Sequence, residues 1–199
     1  MTIPPVPKIG INQNYGGKFN MKTKLRKSTL YLVQAALIAA AYAALFYAQN
    51  LLLPGTTSAA VQFRVAEVLN VLACFTPAAI PGLTLGCVLS NLANISAGLP
   101  LDMIFGSAAT LAATSAMYLT RKLCFKKLPL LSAAMPAIFN GIIIGWEIET
   151  FFISGSFHIS SFLLCAAQVA AGELAVMYIL GMPLVYIIKK RNLDKKLFC

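Results

Sequence analysis

Residues 61–92 read VQFRVAEVLNVLACFTPAAIPGLTLGCVLSNL, an apolar run that carries one arginine and one glutamate and is interrupted by PAAIPG. Arg64 and Glu67 are three residues apart, so on a helix they share a face, which Asn70 and Cys74 continue. The charges allow two interpretations: a boundary pair that fixes a helix end, or a pair with a function inside the membrane. The remaining spans are placed relative to this run.

The composition is that of an integral membrane protein. Of the 199 residues, 59% are apolar and 11% are charged, whereas roughly a quarter of the residues in a soluble domain are charged. The 16 Lys and Arg exceed the 6 Asp and Glu, but they cluster between apolar spans without a nucleic-acid motif. The positive-inside rule predicts that these clusters face the cytoplasm. They comprise residues 18–27, 121–127 and 189–196.

Clusters of Pro, Gly and Ser divide the apolar sequence into six candidate spans. A bilayer core of about 30 Å requires roughly 20 apolar residues per helix. If the amino terminus is inside, six crossings place both termini and all three basic clusters in the cytoplasm. The sequence thus predicts an all-α integral membrane protein with six transmembrane helices. The predicted spans are 30–52, 61–75, 82–97, 101–119, 130–152 and 161–188.

One transmembrane domain, residues 29–190, is predicted between two tails. Residues 1–28 contain many Pro, Gly, Asn and Lys residues and no apolar period, so we expect a flexible basic tail. Residues 191–199 are expected to form a short cytoplasmic tail. A cleaved secretory signal is not expected, because the run 30–52 is too long for a signal core and further spans follow it.

The first span contains two rows of alanines at a spacing of four residues. Small residues at this spacing let another helix approach the backbone closely. The pattern is compatible both with packing inside the bundle and with docking of another membrane subunit. The rows are Ala35, Ala39 and Ala43, and Ala36, Ala40 and Ala44.

Acidic and amide side chains recur in the later spans. Asp102 opens the fourth span, where it either takes part in the site or is a helix-start acid favoured by the helix dipole. Asn140 and Glu147 share a face of the fifth span, whereas Glu149 points roughly the opposite way and is expected at the outer boundary.

Glu173 lies well inside the sixth span, where an unpaired ionised carboxylate is costly. It is therefore expected to be protonated, paired with a group such as Arg64, or bound to a polar ligand. In the predicted topology, the polar side chains of the spans fall in the middle or outer half of the bundle, which describes a pocket open to the outside. These residues are Arg64, Glu67, Asn91, Asp102, Asn140, Glu147, Glu149 and Glu173.

The chain lacks the motifs of several function classes. Without a GxxxxGK phosphate loop, an ATP-driven transporter would need its ATPase from another chain. HExxH and GxSxG are absent and the one histidine, His158, lies in a predicted external loop, so no enzyme activity is expected. Because soft ligands are few, no metal site is predicted. Transport by this chain alone is not favoured, because no internal repeat is found.

The run 61–92, with LDMIFGSAATL, NGIIIGWE and GELAVMYILGMPL downstream, resembles the QueT family of substrate-binding (S) components of energy-coupling factor (ECF) transporters. The resemblance extends from about Leu30 to the end. It implies a six-helix S component in a prokaryotic plasma membrane that captures a queuosine precursor from outside. It also implies partners, namely a transmembrane scaffold subunit and two cytoplasmic ATPases that use the ATP, and no cofactor in this chain. The alanine rows resemble the scaffold-docking motif of such proteins.

The deazaguanine ligand implied by the resemblance suits these side chains. Its guanine-like edge offers adjacent N–H donors that a carboxylate accepts in a bidentate manner, and Glu147 or Glu173 is expected to bind that edge. Its carbonyl can accept a hydrogen bond from an amide or from Arg64, and its flat face can stack on Trp146 or Phe139. The predicted substrate-binding residues are Arg64, Glu67, Asn91, Asp102, Asn140, Trp146, Glu147, Gln168 and Glu173.

Other functions stay open at this point. An S component for another small heterocycle, such as a vitamin, would have the same architecture. A stand-alone proton-coupled carrier would use Glu173 and would need no partner subunit. A purely structural membrane subunit would need no carboxylates in its outer half and would bind no small molecule.

Overall fold

The computed structural model describes residues 27–56, 63–96, 100–123, 128–153 and 157–194, with the backbone alone for residues 27, 93–96 and 100. All regular elements in these ranges are helical. The predictions for residues 1–26 and 195–199 lie outside the described residues, as do those for parts of the basic clusters.

Along the described ranges, α-helices alternate with one 3₁₀ helix and two π-helical turns. The elements are α1 (Lys27–Leu52), the 3₁₀ helix (Val65–Cys74), α2 (Ala79–Ser96), α3 (Pro100–Thr120), α4 (Leu130–Glu147), the first π turn (Ile148–Phe152), α5 (Ile159–Ala175), the second π turn (Val176–Gly181) and α6 (Met182–Lys190). Consecutive α-helices from α1 to α5 pack against each other.

Within the described ranges, four helical stretches are long and apolar enough to cross a membrane. They coincide with the first, fourth, fifth and sixth predicted spans, whereas the second and third correspond to shorter apolar helices, Val65–Cys74 and Ala79–Leu92. The all-helical class is confirmed, and the number of crossings stays a prediction. The long stretches are Ser28–Leu52, Leu101–Thr120, Leu130–Phe152 and Ile159–Lys190.

The second predicted span is a 3₁₀ helix at the centre of the fold. Because a 3₁₀ helix has 3.0 residues per turn, side chains three apart are eclipsed. Arg64, Glu67, Asn70 and Ala73 therefore lie in line and are all buried, so Ala73, and not the partly exposed Cys74, continues the polar face. The 3₁₀ helix contacts α1, α2, α3, α4, α6 and the second π turn, which explains why this run organises the chain.

The break at PAAIPG is shorter than the sequence suggested, because α2 already begins at Ala79. Thr76 starts the helix: its carbonyl oxygen accepts the backbone N–H of Ala79 (3.2 Å), and its hydroxyl oxygen accepts that of Ala78 (3.3 Å). Pro81 lies in the first turn, where the missing N–H has no helical acceptor in any case. Gly82, predicted as the first residue of the third span, lies inside the helix.

Gly82 and Gly86 let α2 pack directly on α1. A Cβ on Gly82 would lie 2.7 Å from the carbonyl oxygen of Ala35, and a Cβ on Gly86 would lie 2.7 Å from the Cβ of Tyr42. Both distances are too short for any larger residue without separation of the helices. Ala35 and Ala39 are correspondingly buried.

The two alanine rows of α1 therefore have different surroundings. The row that begins at Ala35 packs within the bundle, although Ala43 at its end is only half-buried. The other row is exposed and lies among exposed leucines such as Leu37 and Leu45. From the sequence, either row could pack inside the bundle or dock another subunit. In the structure, the row that begins at Ala35 packs inside the bundle. The exposed row consists of Ala36, Ala40 and Ala44.

The largest apolar core cluster lies between α1, the 3₁₀ helix and α2, with contributions from α3 and the second π turn. Tyr42, Phe46 and Leu83 are fully buried there. Many large apolar side chains on the outside of the helices are exposed, for example Leu32 and Ile179. An apolar exterior around an equally apolar core is the pattern of a helix bundle that faces lipid.

Candidate functional site

Arg64 forms an ion pair with Asp102, and not with Glu67 or Glu173 as the sequence allowed. Its Nη2 atom lies 2.7 Å from Oδ2 of Asp102, and both side chains are buried. The guanidinium also lies 5.9 Å from the ring centre of Phe46, a cation–π distance. The pair joins the start of the 3₁₀ helix to the first turn of α3, so Asp102 is more than a helix-start acid.

Gly106 lets the backbone of α3 approach this ion pair. A Cβ at this position would lie 2.9 Å from Nδ2 of Asn91, 3.4 Å from Oδ1 of Asp102 and 3.7 Å from Nη1 of Arg64. Asn91 itself donates a hydrogen bond to the backbone carbonyl of Asp102 at 2.8 Å. A side chain at residue 106 would therefore displace groups that hold the pair in place.

Glu67 is held by two neutral donors. The hydroxyl of Tyr42 donates to Oε1, and the side-chain amide of Asn70, one 3₁₀ turn further on, donates to Oε2. All three side chains are buried. Both oxygens of Glu67 thus have partners, and no cation among the described residues forms a salt bridge with it.

Glu173 of α5 accepts a hydrogen bond of 2.7 Å from the side-chain amide of Asn140 of α4. Its second oxygen, Oε2, is buried and has no hydrogen-bond partner within the described ranges. These two residues help to enclose a cavity of about 10 Å³ between the 3₁₀ helix, α3, α4 and α5. The cavity is lined by Arg64, Glu67, Gly106, Thr110, Asn140, Ile144, Val169 and Glu173.

Glu147 lies on the same face of α4 as Asn140 and Ile144, three residues beyond Ile144, although it does not itself line the cavity. It is buried, and neither of its oxygens has a hydrogen-bond partner in the part of the chain that the structure describes. A buried carboxylate without partners costs several kcal/mol, by order of magnitude. We refer to six of these residues as the polar cluster: Arg64, Glu67, Asp102, Asn140, Glu147 and Glu173.

Glu149, which the sequence predicted at the outer boundary, is also buried. One of its oxygens accepts the backbone N–H of His158 at 2.9 Å. Because His158 is the residue before α5, this bond ties the first π turn to the start of the next helix. Glu149 therefore bonds to the start of α5 and does not line the cavity.

Five of the nine predicted substrate-binding residues do not line the cavity, namely Asn91, Asp102, Trp146, Glu147 and Gln168. Of these five, Trp146 and Gln168 also lie apart from the buried polar residues. Gln168 is exposed on α5. Trp146 is 40% exposed, and its ring centre lies 5.5 Å from that of Phe105 and 5.8 Å from that of Phe151. Partly exposed aromatic groups near a helix end are typical of the membrane–water interface. In this structure both side chains lie on the outside of the bundle.

Sequence reasoning missed Tyr42 and Gln49, which position the 3₁₀ helix. Gln49 donates to the hydroxyl of Thr56 at 2.9 Å and accepts the backbone N–H of Val65 at 2.7 Å. Tyr42 binds Glu67 as described above. Helical spacing from Ala35 would have placed both on the buried face of α1, because they follow it by seven and fourteen residues.

The polar cluster is suited to a ligand rich in hydrogen-bond donors, since it combines four carboxylates with one guanidinium. Ligand pockets usually measure about 300–1,000 Å³. The observed 10 Å³ has room for about one water molecule, so a larger ligand enters only if the walls move apart. Among the described residues, no three His, Cys, Asp or Glu side chains are arranged so that they could hold a metal ion together.

Comparison with known families identifies the chain. The family model described as QueT transporter matches residues 32–190, which is most of the chain. The chain therefore belongs to the QueT transporter family, a family of ECF S components, and the resemblance inferred from the sequence is confirmed. Comparisons with curated proteins and with solved structures gave no match.

Proposed function

We propose that this chain captures a queuosine precursor, a deazaguanine, as the S component of an ATP-driven ECF importer. The family match supports a transporter. The observation that carries the proposal is the burial of Glu147 and Glu173 with oxygens that have no partner among the described residues. Groups of this kind are costly inside a membrane bundle and are therefore usually functional.

The proposed ligand has the donors that these acceptors lack. A guanine-like edge carries adjacent N–H groups for a carboxylate, and the ring carbonyl suits Arg64 or the amide of Asn140. Both residues line the cavity, and Arg64 Nε has no hydrogen-bond partner within the described ranges. The ligand enters from the outer side, and its binding requires the contracted cavity to open.

The proposed membrane topology has six crossings, with residues 29–190 in the membrane of a prokaryotic cell and the tails 1–28 and 191–199 in the cytoplasm. The four long apolar helices support four of the crossings. The 3₁₀ helix has ten residues and rises about 2.0 Å per residue, so it extends about 20 Å and crosses only with the help of flanking residues.

Site-directed labelling tests this topology. In a variant without native cysteines, a cysteine at Lys122, in the turn after α3, is expected to react only with reagents that enter the cell. A cysteine at His158 is expected to react from outside with an impermeant maleimide. Labelling of both positions from the same side would contradict the six-crossing arrangement.

The partners in this proposal are a transmembrane scaffold subunit and two cytoplasmic ATPases, which bind and hydrolyse the ATP. No catalytic role is proposed for this chain. The exposed row of Ala36, Ala40 and Ala44 supports scaffold docking on α1, because small exposed residues let a helix of the partner approach closely. Docking is not proposed for the row that begins at Ala35, because Ala35 and Ala39 contact the glycines of α2.

Calorimetric titration of the purified chain in detergent tests the substrate. We expect tight binding of at least one of aminomethyl-deazaguanine and cyano-deazaguanine, with no binding of riboflavin and weaker binding of guanine. If a folded preparation binds neither deazaguanine, the substrate proposal fails. Binding of riboflavin or another vitamin instead would favour an S component for a different heterocycle.

The buried Glu173 also makes a stand-alone proton-coupled carrier a second candidate. Uptake by this chain alone, in liposomes with a proton gradient, distinguishes the two functions. The S-component proposal predicts no uptake until the scaffold and ATPases are added together with ATP. Gradient-driven uptake without these partners would favour the carrier.

A further inference from the structure

The carboxylates of the polar cluster differ in how many of their oxygens are already bonded. Asp102 is engaged by Arg64, and Glu67 accepts hydrogen bonds at both oxygens. Glu173 accepts one hydrogen bond at Oε1, whereas its Oε2 has no partner among the described residues. Glu147 has no hydrogen-bond partner at either oxygen in the same ranges. The free acceptor positions therefore belong to Glu147 and Glu173.

Both residues are fixed in the bundle rather than at its surface. Glu147 and Glu173 are 1% and 3% exposed. Each also lies close to a π-helical turn, since Glu147 directly precedes the first and Glu173 is three residues before the second. Local π-helical geometry occurs frequently at functional sites. Both carboxylates are buried, have oxygens without hydrogen-bond partners among the described residues and lie close to a π turn. These three features together point to a ligand at both carboxylates.

We infer that these two glutamates bind different parts of one ligand: Glu147 accepts the paired N–H donors of a base edge, and Glu173 accepts a cationic amine. This inference rests on the proposed function and assigns roles within its site. Bidentate acceptance needs two free oxygens on one carboxylate, and among the cluster's carboxylates Glu147 meets that condition. Glu67 is excluded, because Tyr42 and Asn70 occupy its oxygens.

The geometry of Glu173 suits a single compact donor. Its Oε1 is anchored by Asn140, so the carboxylate is oriented and presents one oxygen, Oε2. A primary ammonium is a compact charge with freely rotating donors and can be satisfied by one oriented oxygen together with neutral acceptors. The side-chain carbonyl of Asn70 is a neutral acceptor next to the cluster, since the amide group of Asn70 bonds to Glu67 while its carbonyl oxygen is buried and has no partner among the described residues.

The charge balance of the cluster favours the same assignment. Glu67, Asp102, Glu147 and Glu173 surround one guanidinium, which is paired with Asp102. Three carboxylates then remain without a salt bridge among the described residues. In a buried site, each of them must be neutralised by a proton or by a nearby cation. A ligand with an ammonium group supplies one such cation, whereas a neutral ligand of equal size supplies none.

Paired substitutions and paired ligands separate the two roles. The purified full-length chain is titrated calorimetrically with aminomethyl-deazaguanine, which is cationic, and with cyano-deazaguanine, which is neutral. Glu147→Gln is expected to weaken both ligands by at least about tenfold, because it replaces one acceptor by a donor at the shared edge. Glu173→Gln is expected to weaken the aminomethyl ligand by at least about tenfold and to leave the cyano ligand within about twofold.

A second comparison needs no substitution and covers the case in which a variant does not fold. On the unmodified protein, acetylation of the aminomethyl group removes the charge, and an analogue without the exocyclic amine removes one donor of the edge. We expect each change to weaken binding by at least about tenfold.

Gln168→Ala is the control for the two glutamate variants. Gln168 lies on the exposed side of the same helix as Glu173, so this variant should bind both ligands as tightly as the unmodified chain.

The outcomes distinguish this inference from the proposed function. If Glu173→Gln weakens both ligands equally, or Glu147→Gln spares both, the division of roles is overturned while deazaguanine capture stands. Equal affinity for the acetylated and the free amine also overturns it. If the unmodified protein binds neither deazaguanine, the proposed function fails and the inference fails with it.

Discussion

Two buried regions of the bundle are packed in opposite ways. One is the α1–α2 contact and the other is the polar cluster. At the α1–α2 contact, Gly82 and Gly86 remove side-chain volume so that backbones touch Ala35 and Tyr42 directly. In the polar cluster, large charged side chains are brought together from four helical elements, and several of their polar atoms have no partner among the described residues.

The α1–α2 contact therefore stabilises the fold, whereas the polar cluster lowers the stability of the fold. Close helix packing through small residues is a principal source of stability in membrane proteins. Buried polar atoms without hydrogen bonds reduce stability and occur where a function requires them. We therefore expect substitutions in the two regions to affect stability and ligand binding in different proportions.

Removal of Arg64 should have the largest effect on stability. Arg64→Met leaves Asp102 buried without its cation, so we expect the free energy of unfolding to fall by about 3–5 kcal/mol. Reversible unfolding in mixed micelles measures this loss. The double variant Arg64→Met, Asp102→Leu should recover most of it, because the carboxylate that lost its cation is removed as well. If both variants lost the same amount, the pair would not be the source of the stability.

Substitution of neighbouring alanines of α1 by leucine tests how tightly α1 packs against α2. Ala39→Leu should lower the free energy of unfolding by about 1–3 kcal/mol, because Ala39 is buried against α2. Ala40→Leu, one residue further on the exposed face, should change it by less than about 0.5 kcal/mol. Unfolding in micelles gives both values. Equal losses at the two positions would show that the rows do not differ in packing.

The smallest effect is expected where the two regions meet, at Tyr42. Tyr42→Phe keeps the packing against α2 but removes the hydroxyl that donates to Glu67, which should cost about 1 kcal/mol. Tyr47→Phe is the matched control on the same helix, because its hydroxyl bonds to the carbonyl of Leu89 at an exposed position. A loss at Tyr47 as large as at Tyr42 would mean that burial of the hydrogen bond is not decisive.

Much of the fold was accessible from local sequence patterns. The first, fourth, fifth and sixth predicted spans agree with long apolar helices within a few residues at each end. The second span was less predictable, because the 3₁₀ helix is distinguished from an α-helix by its backbone hydrogen bonds and not by its composition. Its charges marked it as unusual, but they did not indicate its central position in the bundle.

The site was predicted in part. The residues of the polar cluster were all among the candidates, because charged and amide side chains inside apolar spans are rare and functional. The contribution of Tyr42 was missed, since a tyrosine in an apolar helix does not indicate a hydrogen bond to a distant glutamate. Gln168 and Trp146 were included because they are polar or aromatic, yet both lie on the outside of the bundle.

The sequence by itself determined which segments are apolar helices and where buried charges occur, because these properties depend on composition and spacing along one segment. Only the tertiary structure decided that Arg64 pairs with Asp102, 38 residues away, and that one alanine row packs while the other is exposed. Such choices depend on which helix faces meet. A periodic pattern identifies a face, but the helices that surround it determine what that face contacts.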